Sequence, residues 1–197
     1  MTKHNHSPRW WLLLTRGAVY VLVGIAMFVS ANSYSQQLGH IVSALVILAG
    51  ICQLLFSFTN RGPENNNIWG ILHGVTDLAF GVAMYIYSKD TIMGFGDMLG
   101  FWAMIYACLQ VVQAMYASMD ARGTSGVHLS TMIVHFANVL IAGGMSYVLL
   151  LSNDNSTSSF GLIGLFPALL GVLILILAQQ MRAQATSRQH DSPNGVI

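Results

Sequence analysis

Charged residues are scarce in this chain: Asp, Glu, Lys and Arg make up 8% of its 197 residues, against roughly 25% in ordinary soluble domains. With 54% apolar residues, such a chain cannot cover a water-facing surface. It reads as an integral membrane protein of one domain. The net charge of +1 says nothing about partners, and no basic patch, acidic run or motif points to nucleic acid. Cysteine is nearly absent. Cys52 and Cys108 both lie in apolar runs and read as small buried residues rather than as a disulfide or metal pair. Catalytic patterns are missing too: there is no HExxH, GxSxG, P-loop or Rossmann fingerprint. The expectation is therefore a protein that is not an enzyme, with no catalytic residues, resident metal or cofactor.

Long apolar runs take the place of charge. Six are marked, at about Trp10–Ala31, Leu38–Phe58, Ile68–Ser88, Met93–Ser118, Leu129–Leu151 and Phe160–Met181. Each can cross about 30 Å of hydrocarbon at 1.5 Å per residue. Backbone groups in lipid must be satisfied within the element, so the runs are helices. The links between them are short and rich in Gly, Asn and Ser, and none could hold a domain. With the N-terminus inside, Lys3, Arg9, Arg16, Arg61, Arg122, Arg182 and Arg188 fall at or near the cytoplasmic side, and Lys89 alone falls outside. This bias places both termini in the cytoplasm. Trp10, Trp11 and Trp69 stand near helix ends, as interfacial anchors do. The basic start and the small residues Val29-Ser30-Ala31 also fit a cleavable leader. Arg16 interrupts that apolar stretch, however, and cleavage would spoil the charge bias.

The runs repeat. LLLTRGAVYVLVGIAMFV from Leu12, ILHGVTDLAFGVAMYI from Ile71 and IVHFANVLIAGGMSYV from Ile133 align without gaps. Gly17/Gly24 and Gly74/Gly81 correspond; the third copy keeps Gly143 but has Phe136 at the earlier place. The implied fold is all-α and polytopic, with six transmembrane helices as three tandem hairpin repeats at about residues 9–59, 67–118 and 128–182. Polar tails occupy 1–8 and 183–197. The repeats are parallel, so a pseudo-threefold axis along the membrane normal is expected, unlike the inverted repeats of many transporters.

Ionisable residues inside spans are rare and mark candidate sites. Arg16, His73 and His135 occupy the same position in the three repeats, roughly 8–10 Å below one membrane surface. Tyr20 and Asp77 follow Arg16 and His73 by one helical turn, and Asn138 follows His135 on the same face. Gln53 and Gln110 are equivalent in the first two repeats. Helices one, three and five can thus present Arg16, Tyr20, His73, Asp77, His135 and Asn138 to a shared centre. One reading is a structural ion pair between Arg16 and Asp77. A second is a proton-responsive group, because histidine titrates between pH 5 and 8. A third is a haem held by His73 and His135. His40 and Asp97, the candidates toward the other surface, lie near helix ends, so no complete proton path is visible.

Smaller features have plain explanations. The glycine pairs and the Gly96/Gly100 GxxxG let helices approach closely, and Gly94 with Gly96 could loosen the start of the fourth helix. Pro167 should kink the sixth. The 11 methionines fill gaps in the core. His4 and His6 belong to a solvated tail, and Asn155-Ser-Thr is a glycosylation pattern common by chance.

WWLLLTRGAVYVLVGIAMFV followed by ALVILAGICQLLFSF resembles the HdeD-like acid-resistance membrane proteins, a family built from a short repeat of unknown function. Arg16-Gly17, Gly24-Ile25-Ala26 and Ala49-Gly50-Ile51 carry the resemblance, which runs from Pro8 to Gln180. The proline that often closes the family's first helix is replaced by Ala31-Asn-Ser. The resemblance implies a non-enzymatic inner-membrane protein linked to acid or stress resistance, and brings no catalytic residues or substrate. Membrane stabilisation or proton-permeability control is the leading expectation. A small proton or solute channel or transporter is the alternative, and a haem-binding redox subunit comes third. The expected partners are the lipid bilayer and a second copy of the chain.

Overall fold

The computed structural model describes residues 10–30, 34–60, 68–89, 92–122, 129–151 and 163–190. They form six helices: α1 (Trp10–Val29), α2 (Gln36–Thr59), α3 (Ile68–Tyr87), α4 (Ile92–Arg122), α5 (Leu129–Leu151) and α6 (Leu165–His190). Among the described residues there is no strand. Each helix holds an apolar stretch of 18 to 24 residues, long enough to span a bilayer. The protein is thus a polytopic helical membrane protein. The boundaries follow the apolar runs to within a few residues, except that α4 continues to Arg122 and α6 to His190. Helix α2 starts where the Ser35 side chain accepts a hydrogen bond from the Leu38 N–H at 3.2 Å. It stops where the Asn60 N–H closes on the Phe56 carbonyl at 3.1 Å.

The helices form a closed ring in chain order, with α6 returning to α1. Each helix packs on its two neighbours. The starts of α1, α3 and α5 therefore share one end of the bundle with the finishes of α2, α4 and α6, here called the near end. The most extensive contacts are α2 with α3, α4 with α5, and α6 with α1. Each odd helix thus fits most closely against the even helix before it, not against its partner in the sequence hairpin.

The repeated glycines explain two of these close fits. A Cβ on Gly24 would stand 2.5 Å from the Gly164 carbonyl oxygen and 2.6 Å from Ala168 Cβ. One on Gly81 would stand 2.7 Å from Ile47 and 3.0 Å from its backbone nitrogen. Such approaches gain dispersion contact where lipid offers no hydrophobic drive between helices. The third copy differs. Nothing lies within 4 Å of a Cβ on Gly143, and Phe136 is exposed. There the closeness comes from α4 instead, where Gly100 meets Leu149 and Leu150 of α5.

Three expectations need correction or limits. Pro167 is the third residue of α6 and does not interrupt its interior. First-turn N–H groups have no intrahelical partner, so the proline removes no bond. Cys52 is buried, but Cys108 faces outward and is exposed, because its side of α4 is turned from the ring. Gly94 and Gly96 do not break α4, which is continuous from Ile92. The near end carries the aromatic residues expected at an interface: the Arg182 guanidinium lies 5.0 Å from the Trp10 ring centroid, and Trp69 packs 5.4 Å from Tyr116. His4, His6, Asn155, Phe160, the whole of the N-terminal tail and residues 191–197 lie outside the described residues.

The core changes character along its axis. Toward the far end, Met27, Met84, Phe95, Leu99, Met145 and Leu170 meet with 0% exposure each. Toward the near end the interior turns polar.

Candidate functional site

Two sets of polar side chains meet inside the near half of the ring. The first is centred on Asp77, one helical turn along α3 from His73. Asp77 Oδ2 accepts from Arg16 Nη2 at 2.9 Å, and Oδ1 accepts from Trp102 Nε1 at 3.0 Å. Arg16 Nη1 donates to Gln53 Oε1 at 2.9 Å. The Gln53 amide in turn lies 3.4 Å from Ser57 Oγ, which donates to the Gln53 carbonyl at 2.8 Å. Helices α1, α2, α3 and α4 are therefore joined by one carboxylate and one guanidinium. Tyr20 completes this knot from α1: its ring centroid lies 5.4 Å from the guanidinium carbon and 5.7 Å from that of Trp102. Arg16, Tyr20, Asp77 and Trp102 are all buried. In a low-dielectric interior the pair is tolerable because each charge has both a counter-charge and neutral hydrogen-bond partners.

The second set is a chain of imidazoles and amides. His135 Nδ1 lies 3.0 Å from Gln110 Oε1, so this nitrogen donates. Gln110 Nε2 lies 3.4 Å from His73 Nε2, and Gln113 Oε1 lies 3.1 Å from the same nitrogen. These two contacts ask for opposite roles: His73 Nε2 donates to Gln113 or accepts from Gln110. The two neutral tautomers of His73 therefore each satisfy one neighbour. The His73 ring also packs against Tyr106, with centroids 4.7 Å apart.

The six residues singled out in the sequence are thus divided. Arg16, Tyr20 and Asp77 form the knot; His73 and His135 are joined through Gln110; Asn138 stands near them, fully buried. Asp77 spends its oxygens on Arg16, in the ion pair that was one reading of the sequence, and on Trp102, and leaves none for His73. A cavity of about 310 Å³ brings the sets together. Arg16, His73, Gln110, His135 and Asn138 border it, while Tyr20 and Asp77 lie behind its wall. Gly70, near the start of α3, and Gln113 and Gln180 also line it. No group of His, Cys, Asp and Glu suited to a metal ion occurs among the described residues. The two other ionisable candidates join neither set. His40 stacks on Tyr85 at 4.5 Å between centroids, and Asp97 is exposed.

Three residues of this site escaped the sequence reading: Trp102, Tyr106 and Gln113. With Gln110 they fall at spacings of four, four and three along α4, which is one helix face. That stripe of polar and aromatic groups was the available signal.

The fold and site define a class: a ring of six membrane helices, apolar at one end and holding a polar cavity at the other. Comparison with known families narrows this by one step. Residues 15–86 match the model of a short repeat of unknown function (DUF308). The match covers about three quarters of α1, all of α2 and all but the last residue of α3, just over a third of the chain. No curated protein and no solved structure matches the chain.

Proposed function

We propose that this is a non-enzymatic, multi-pass protein of a bacterial inner membrane that contributes to acid resistance by controlling proton permeability, with His73, Gln110 and His135 as its proton-responsive element. Two lines support the setting: the short-repeat match over 15–86, and the concentration of Lys and Arg at the near end, which argues for cytoplasmic termini. The observation that carries the mechanism is the chain of His73 between a donor and an acceptor amide, bordering a cavity. Protonation of His73 makes both its ring nitrogens donors and removes the acceptor that Gln110 uses. Gln110 must then turn, and its bond to His135 turns with it. The titratable and charged groups that face His73 are Arg16 from α1, Asp77 on its own helix, Tyr106 from α4 and His135 from α5; α2 and α6 offer the neutral Gln53 and Gln180.

The apolar far half favours control over free conduction, because charge does not cross such a core unaided. A small proton or solute channel is the second reading, favoured by the cavity itself. Haem has the least support: the Gln110 amide joins the two imidazoles and occupies the place an iron between them would need.

The test is proton flux through the purified chain in liposomes, at neutral pH and at about pH 4.5, below histidine's ordinary range of about pH 5–8. Flux that rises in acid and is lost in His73→Ala and His135→Ala is the expected result. Flux equal to that of protein-free liposomes at both pH values removes the proposal.

A further inference from the structure

The near-end cavity has two unlike walls. On the α6–α1–α2 side five apolar residues, Leu13, Phe56, Ile174, Leu177 and Met181, stand beside the polar Arg16, Gln53 and Gln180. On the α3–α4–α5 side it is lined by His73, Gln110, Gln113, His135 and Asn138. Because the helices follow one another around the ring, these are two opposed arcs. A site for water or a fully polar solute needs no apolar arc, and a gap filled by lipid tails needs no polar one.

The polar arc also has unfilled capacity. Asn138 is fully buried, yet neither its Oδ1 nor its Nδ2 has a hydrogen-bond partner, and His73 Nδ1 has none. A buried amide with both groups unpaired is costly, and native interiors rarely leave one so. Charge is the other constraint. The one permanently charged side chain at the cavity, Arg16, already has Asp77 at 2.9 Å, so an ionic ligand would enter without a counter-charge. The volume of about 310 Å³ lies at the lower end of small-molecule sites. Finally, α5 and α6 make the least extensive contact of the six neighbouring pairs. That seam borders the cavity, with Asn138 on one side and Ile174 on the other.

We propose that the cavity binds a small amphiphile: an uncharged head that both donates and accepts hydrogen bonds, seated at Asn138, and a short apolar tail lying along Ile174, Leu177 and Met181. This goes beyond the proton-linked reading and does not depend on it. A primary amide with a short alkyl chain has the required chemistry.

The experiment uses the full chain in lipid nanodiscs and measures binding of labelled hexanamide by equilibrium dialysis, with empty nanodiscs subtracted and no pH gradient present. The expected result is saturable binding, weaker for acetamide, which keeps the head and lacks the tail. Asn138→Leu and Ile174→Trp should each weaken it by about tenfold or more, the scale on which a pocket discriminates when a methylene or a polar partner is lost. Val172→Trp, on an exposed part of α6, should leave it unchanged and controls for folding. Acetamide binding as tightly as hexanamide overturns the proposal in favour of a polar-solute site. Hexanoate binding more tightly overturns the neutral head. No saturable binding above empty nanodiscs means that the cavity holds water only.

Discussion

The far half of the bundle closes on Met27, Met84, Phe95, Leu99, Met145 and Leu170, all without exposure. The near half, built from the same three repeats, holds an ion pair, two histidines, buried amides and a cavity. The repeated glycines do not mark the difference: Gly17 and Gly74 lie in the near half and Gly24 and Gly81 in the far half, each against a neighbouring helix. What differs is the residue just before the first glycine position, which Phe136 fills in the third copy: it is Arg16, His73 or His135. One register position thus carries three different chemistries, and its partners decide what each becomes. Arg16, with a carboxylate at 2.9 Å, becomes a fixed joint. His73, held between two amides, keeps more than one hydrogen-bond arrangement.

The comparison predicts that the joint matters most to stability. Asp77→Asn leaves the Arg16 charge buried without a counter-charge, a loss on the order of 3–5 kcal/mol. The double change Arg16→Met with Asp77→Leu should recover most of it, since an apolar pair of similar volume is often neutral. Unfolding of the protein in detergent or nanodiscs measures both. A cost for Asp77→Asn below about 1 kcal/mol, the scale of an exposed pair, would show that the joint is wet.

Next comes the far core. Met84, fully buried, should cost about 2–4 kcal/mol when cut to alanine, through lost contact and the void left behind. The same measurement on Met115, exposed on the outside of α4, should show little change. Equal losses would mean that the two faces are not distinguished as described.

Smaller still is the glycine contrast. Gly24→Ala drives a Cβ into backbone atoms of Gly164 and Ala168 and should cost about 1–3 kcal/mol. Gly143→Ala meets nothing within 4 Å and should be neutral or slightly stabilising, because alanine favours helix. If both behave alike, the third repeat packs like the other two.

How far these contrasts could be read from the sequence depends on the kind of information each needs. The six helices were legible, because length and hydropathy are local properties. So was the common register of Arg16, His73 and His135, which border one cavity, because a gapless repeat fixes register. The closest helix pairs were not. The hairpin repeat suggested α1 with α2, whereas the glycines of α1 fit α6, and nothing local says which neighbour a small face will meet. The split of the polar cluster was also hidden. The Arg16–Asp77 ion pair was one of the readings the sequence offered; what it did not offer was Trp102, which takes the second carboxylate oxygen and leaves none for His73. Hydropathy misled at Cys108, which lies in an apolar run and yet faces outward, since in a membrane protein apolar residues serve the lipid face as well as the core.

The smallest expected effect on stability separates the two halves most sharply in function. Gln110→Leu keeps the size of the side chain and removes both links of the histidine chain, to His73 at 3.4 Å and to His135 at 3.0 Å. Interhelical hydrogen bonds in membranes average about 0.6 kcal/mol each, so unfolding should shift by roughly 1 kcal/mol. Asp77→Asn should shift it several times further. If the near half is a proton-responsive site, Gln110→Leu should nonetheless abolish the acid-dependent rise in flux, because neither imidazole then feels the other. A variant that stays folded and keeps that rise would show that the histidines respond singly. One that loses several kcal/mol would place Gln110 with Arg16 and Asp77, as part of the frame.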